Sequence, residues 1–150
     1  MKPINLVSLI HAKKDLSDQN FQSYIKSFDL SPKMRETELA DVATLIEELQ
    51  ALGASACDLN YFFVGYTIER ISKEFDLLRI GQNYILNIEL KQEGTQERIL
   101  RQLLQNAHYL RFLNVPTYYF TFVTSTKTLY KLVEGELQQA QLTELFTLLT

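Results

Sequence analysis

The stretch KEFDLLRIGQNYILNIELKQ, residues 73–92, decides the fold. Two apolar, β-prone runs flank Gly81, Gln82 and Asn83, and turn-forming residues between such runs read as a β-hairpin. With the loop centred between Gln82 and Asn83, antiparallel pairing sets Asp76 opposite Glu89 and Glu74 opposite Lys91. Directly opposed Cβ atoms lie roughly 5 Å apart. Side chains alternate along a strand, so Glu89 and Lys91 share a face while Leu90 points the other way. A rise of about 3.3 Å per residue leaves roughly 6 to 7 Å between them. A divalent ion on Glu89, with a phosphate oxygen bridging toward Lys91, fits that gap. Two opposed carboxylates repel, which raises one pKa or demands a cation. Hard oxygen ligands suit Mg²⁺, or Mn²⁺ in its place, which takes its remaining ligands from water and phosphate. The plain alternative is a half-exposed strand on which Glu74 and Lys91 form a cross-strand ion pair.

Composition narrows the class. The chain has 150 residues, 46% of them hydrophobic, which fits one soluble globular domain over residues 1–150. No apolar run reaches the length of a membrane span and the start lacks a secretory signal, so no membrane partner and a cytoplasmic location are expected. Cys57 is the single cysteine, which excludes an internal disulfide and a multi-cysteine zinc site; it reads as a small buried hydrophobe. His11 and His108 stand far apart, with nothing to link them as a catalytic or ligand pair. A net charge of −3 argues against sequence-independent clamping of duplex DNA by this domain alone.

Around the hairpin the apolar spacing gives the other elements. Residues 4–12 could be helix or strand. Phe21, Tyr24, Ile25 and Phe28 behind Ser17-Asp18 predict an amphipathic helix over 18–29. Ser31-Pro32 looks like an N-cap with proline at the first helical position. Leu39, Val42, Ile46, Leu49 and Leu52 make one helical face that stops at Gly53. Residues 59–67 read as a strand, followed by hairpin strands over 74–80 and 84–91. Thr95 caps a helix to about Leu113, which Asn114-Val115-Pro116 ends. Strands are predicted at 116–124 and 129–133 and a helix at 142–149. This order implies an α/β fold: a mixed sheet with helices on its faces, in which the helix after the third strand makes the third and fourth strands parallel. The last residues lie inside an amphipathic pattern, which suggests an N-terminal domain of a longer protein.

A helix, three strands carrying Asp76 and then Glu89-Leu90-Lys91, a helix and another strand resemble the PD-(D/E)XK nuclease superfamily. The resemblance covers about residues 31–124. Glu74-Phe75 stands where the superfamily often has a proline before the aspartate. Recombination and helicase-associated members carry Q-x-x-x-Y in the helix after the lysine, and Gln105 to Tyr109 fits that pattern. In the same helix Arg98, Gln102, Gln105 and Tyr109 form a polar stripe, opposite an apolar one of Ile99, Leu103, Ala107 and Leu110. Arg and Gln there could hold phosphate oxygens.

The resemblance implies a restriction-endonuclease-like αβββαβ core with an extra N-terminal helix, and a divalent-metal-dependent nuclease. DNA is the expected substrate ahead of RNA. Asp76, Glu89 and a backbone carbonyl near Leu90 would hold one or two Mg²⁺ ions, and Lys91 would orient water or stabilise developing charge. Arg98, Gln102, Gln105 and Tyr109 would brace the site or contact the strand being cut. A further acid is expected at Glu36 or Glu38 in the long helix or at Glu69, and the sequence leaves the choice open. The acidic balance points to help from a helicase or other ATPase domain. Two alternatives stand beside this reading: a metal-free docking module of the same fold, and an unrelated α/β interaction domain with an acidic surface hairpin.

Overall fold

The computed structural model describes residues 1–30 and 36–150, so the helix start expected at Ser31-Pro32 lies outside the described residues. The first apolar run is helix α1 (Leu6–Asp15), because the Asn5 side chain accepts the Ser8 N–H at 3.0 Å and caps it. Ser17 caps α2 (Asp18–Ser27) in the same way through Asn20 N–H. Helix α3 (Glu36–Ala51) buries Leu39, Val42, Leu45, Ile46 and Leu49. It ends at Gly53, whose φ of +108° lets Gly53 N–H and Ala54 N–H close onto the carbonyls of Gln50 and Leu49. Leu52 lies past the last helical residue, so it leaves the expected apolar face and is exposed.

Strands β1 (Phe62–Ile68), β2 (Lys73–Ile80) and β3 (Ile85–Lys91) follow as an antiparallel meander. Helix α4 (Gln96–Leu110) starts at Thr95, whose side chain accepts Arg98 N–H, and gives way to a 3-10 turn that Asn114 closes at φ +55°. The crossover sets β4 (Thr117–Val123) parallel to β3. Strands β5 (Thr128–Val133) and β6 (Glu136–Ala140) add antiparallel edges, and α5 (Leu142–Leu149) follows. The fold is therefore α/β, a six-stranded mixed sheet in the order β1 to β6 with five helices among the described residues. Strand β6 is absent from the sequence reading: Glu136, Gln138 and Gln139 are exposed and only Ala140 is buried, so it carries little apolar pattern.

One sheet face carries Phe62, Val64, Leu77, Leu86, Ile88, Phe120 and Phe122 into a core shared with α1, α2, α3 and α5. The other face lies under α4, where Ile99 and Leu103 meet Val123, and Leu110 meets Phe75, Leu78 and Ile85. With both faces covered, all of Ile85 to Glu89 is buried, the polar Asn87 and Glu89 included.

The hairpin register is the expected one, with Leu77 opposite Ile88 and Leu78 opposite Asn87. Extended by one pair, it brings Asp76 to Glu89. Here the sheet is irregular. Phe75 and Leu77, two residues apart, point into different layers, and so do Val64 and Tyr66 on β1. Between them lie Asp76 and Gly65, and Gly65 has φ +67°. A left-handed residue in a strand re-aims its neighbours, and glycine takes that conformation without the steric penalty of a Cβ.

Candidate functional site: two apposed carboxylates under helix α4

At the irregularity the backbone ladder between β2 and β3 is replaced by a reciprocal exchange. Asp76 N–H donates to Glu89 Oε2 at 2.9 Å, and Leu90 N–H donates to Asp76 Oδ2 at 2.9 Å. Each strand's acid thus caps the other strand's amide. The acids are held face to face by the donors that the opened hairpin leaves unpaired.

Glu89 is fully enclosed. Its Oε2 also receives Asn87 Nδ2 at 3.3 Å, and its Oε1 receives Gln102 Nε2 from α4 at 2.9 Å. Burial and the neighbouring Asp76 charge push its pKa from 4.5 up to about 7, while bonds from Asp76 N–H and the Asn106 amide and the charge of Lys73 pull it back. Asp76 is half-buried, and its pKa is also raised, by burial first and then by the charge of Glu38. The Leu90 N–H bond and the ammonium groups of Lys91 and Lys73 oppose that rise. Two like charges at this spacing favour a shared proton or a bound cation.

Lys91 follows on the same strand, half-exposed, and its stem lies so close to Gly94 that a Cβ there would come within 3.2 Å of its Cδ. Its carbonyl accepts Thr124 N–H at 2.8 Å, and Thr124 Oγ1 donates to Asp41 Oδ1 at 3.0 Å, tying α3 to this end of the sheet. The Leu90 side chain packs into the opposite layer, so only its backbone faces the acids.

The remaining expected residues separate. Gln102 reaches the site. Gln105 and Arg98 are exposed, and Tyr109 is half-buried against the cluster of Phe75, Leu78 and Leu110. The buried stripe of α4 is Ile99, Leu103, Asn106 and Leu110, so Asn106 takes the place expected for Ala107. The pair on the acids is Gln102 and Asn106, with the four-residue spacing of Gln105 and Tyr109 but one turn earlier. Among the three further acids, Glu38 is the one whose charge acts on Asp76. Glu36 is exposed and pairs with Lys13 at 3.6 Å, and Glu69 sits exposed in a 3-10 turn. Cys57, expected to be buried, is exposed in the turn before β1.

Four buried polar residues among those described, Asn87, Glu89, Asn106 and Thr121, all belong to this region. Thr121 is the β4 partner of Glu89 in the parallel register. Asn87, Asn106, Thr121, Lys73 and Asp41 escaped the sequence reading. The usable signal was Asn87, two residues before Glu89 and hence on its face. The described residues contain no group of three Asp, Glu, His or Cys side chains arranged around a metal. The donor set of two carboxylates fits an ion that keeps most of its water, as Mg²⁺ does. Concavities of about 260 Å³ beside Lys131 and about 740 Å³ beside α2 share no residue with these acids. No helix among the described residues is long and apolar enough to cross a membrane. No protein-family model, curated protein or solved structure matches the chain.

Proposed function

We propose that this domain is a divalent-metal-dependent nuclease with a PD-(D/E)XK-type, restriction-endonuclease-like core. The observation that carries the reading is the reciprocal capping of Asp76 and Glu89, which opens the hairpin where two carboxylates meet. Supporting it are the order helix, three strands, helix, strand, the parallel β3 and β4, and Lys91 beyond Glu89 on the same strand.

Asp76 and Glu89, with a backbone carbonyl near Leu90, would hold the ion. A bound Mg²⁺ supplies a water of lowered pKa and neutralises phosphate charge. The chain's own residues do the rest. Gln102 and Asn87 orient the Glu89 carboxylate, and Asp76 N–H fixes its second oxygen. Lys91 presents a compact ammonium to a phosphate oxygen or the attacking water. Glu89 has to lose its proton before it can ligate, so activity should rise with pH through about 7. DNA is the proposed substrate. A net charge of −3 suits a domain that relies on a helicase or other ATPase partner to bring the strand in.

One observation favours a second reading, a metal-free docking module of the same fold: both Glu89 oxygens already accept protein donors in a fully enclosed site. Cleavage of single-stranded and duplex DNA and RNA with Mg²⁺ or Mn²⁺, by wild type, Glu89→Ala and Lys91→Ala, separates the two. Metal-dependent cutting lost in both variants supports the nuclease. Cutting that survives both substitutions refutes the site.

A further inference from the structure

Asn106 stands in the apolar stripe of α4 between Leu103 and Leu110, fully buried. A leucine would fit the same stripe without burying an amide. The amide is poorly provided for there, because Asn106 Oδ1 is buried with no hydrogen-bond partner. Burying an unpartnered carbonyl costs stability, so packing alone does not account for asparagine at this position.

Its amide nitrogen points toward the acids, where it also helps hold down the Glu89 pKa. Asn106 Nδ2 donates to Asn87 Oδ1 at 2.8 Å. That bond fixes which end of the Asn87 amide is which: with the oxygen taken by Asn106, Nδ2 must face the other way, where it donates to Leu77 O at 3.2 Å and Glu89 Oε2 at 3.3 Å. The same Oε2 receives Asp76 N–H. A continuous line of amides therefore runs from α4 through β3 to the junction of the two acids.

We propose that Asn106 is a positioning residue that, through the Asn87 amide, holds the Glu89 carboxylate against β2 and so sets the geometry of the two-acid site. It acts by denying Asn87 its alternative orientation, alongside the direct bond of its own amide to the Glu89 carboxylate. Outer-shell partners of this kind typically change metal affinity by about 10- to 100-fold.

The inference deepens the proposed function in that it gives the two-acid site a support, and its test reads that support separately from metal chemistry. The first readout is hydrogen exchange at the Asp76 amide, whose acceptor is Glu89. Asn106→Leu is expected to speed exchange there at least about tenfold while β4 amides at Phe120 and Phe122 keep their protection. Asn106→Ala is made alongside it, to provide a second fold-retaining substitution. The second readout is Mn²⁺ affinity by calorimetry, expected to fall about tenfold in either variant. Asn106→Gln, which can still donate toward Asn87, is expected to restore part of both. Unchanged Asp76 exchange in folded Asn106→Leu or Asn106→Ala overturns the proposal. If wild type binds no Mn²⁺ but Asp76 exchange still responds to Asn106, the support stands and the nuclease reading fails.

Discussion

Replacing Glu89 with glutamine should stabilise this protein at alkaline pH and leave it unchanged in acid. The folded state raises the Glu89 pKa from 4.5 to about 7, so between those values it binds more protons than the unfolded chain. Stability from this group is therefore greatest below pH 4.5, falls as pH rises through the window, and is fully lost above about 7. At roughly 1.4 kcal/mol per pH unit, the ionised side chain costs about 3 kcal/mol of stability at pH 8. Glutamine removes the charge and keeps the shape. Its oxygen can still accept Asp76 N–H, and its new NH₂ faces Gln102, whose Oε1 is buried and unpartnered. A turn of the Gln102 amide then pairs that oxygen. Glu89→Gln is thus expected to gain about 1 to 3 kcal/mol at pH 8, the lower figure allowing for imperfect amide geometry. For a chain of this size the gain raises Tm by roughly 3 to 10 °C. Thermal melts of both proteins from pH 4.5 to 8.5 without divalent ions make the comparison. A difference that does not grow with pH, or a variant less stable at pH 8, would refute the reasoning.

Other substitutions separate the parts of the structure. Gly65→Ala places a Cβ at φ +67°, 3.4 Å from Glu74 Oε1, and should cost about 1 to 2 kcal/mol in urea unfolding. Phe122→Ala removes a fully buried ring from the main core and should cost about 3 to 5 kcal/mol in the same assay. Lys91→Ala should lower the cleavage rate at least about a hundredfold with little change in Tm, if its ammonium has the role on substrate proposed above. Gln105 is exposed and Gln102 bonds Glu89, so Gln105→Ala should keep Mn²⁺ affinity within about twofold while Gln102→Ala weakens it about tenfold.

How far the sequence carried depends on which force set each feature. The hairpin register could be read because Gly81 to Asn83 centres the loop and one buried face fixes the pairing. The long helix and the crossover followed from apolar spacing and from the stop signals at Gly53 and Asn114. Strand β6 stayed hidden because an edge strand with exposed Glu136, Gln138 and Gln139 has no apolar alternation to read. At the site, Asp76 and Glu89 were visible as charges on facing strands. The roll of α4 was not: a rotation of a fraction of a turn decides whether Gln102 or Gln105 meets Glu89, and it is set by Ile99, Leu103 and Leu110 packing onto the sheet. Asn87 could have been placed on the face of Glu89 by strand alternation, but Asn106 could not be picked out, because a neutral amide in a helix has the same local appearance whether solvated or buried.

Calorimetric titration of Mn²⁺ into wild type, Asp76→Asn and Glu89→Gln at pH 8 probes the two-acid site itself. The proposed function predicts uptake of Mn²⁺ in wild type, with affinity falling at least about tenfold in each variant and weakening below pH 7 as Glu89 gains its proton. Binding that is equal in all three proteins, or no binding in wild type, would contradict the reading of Asp76 and Glu89 as a metal site.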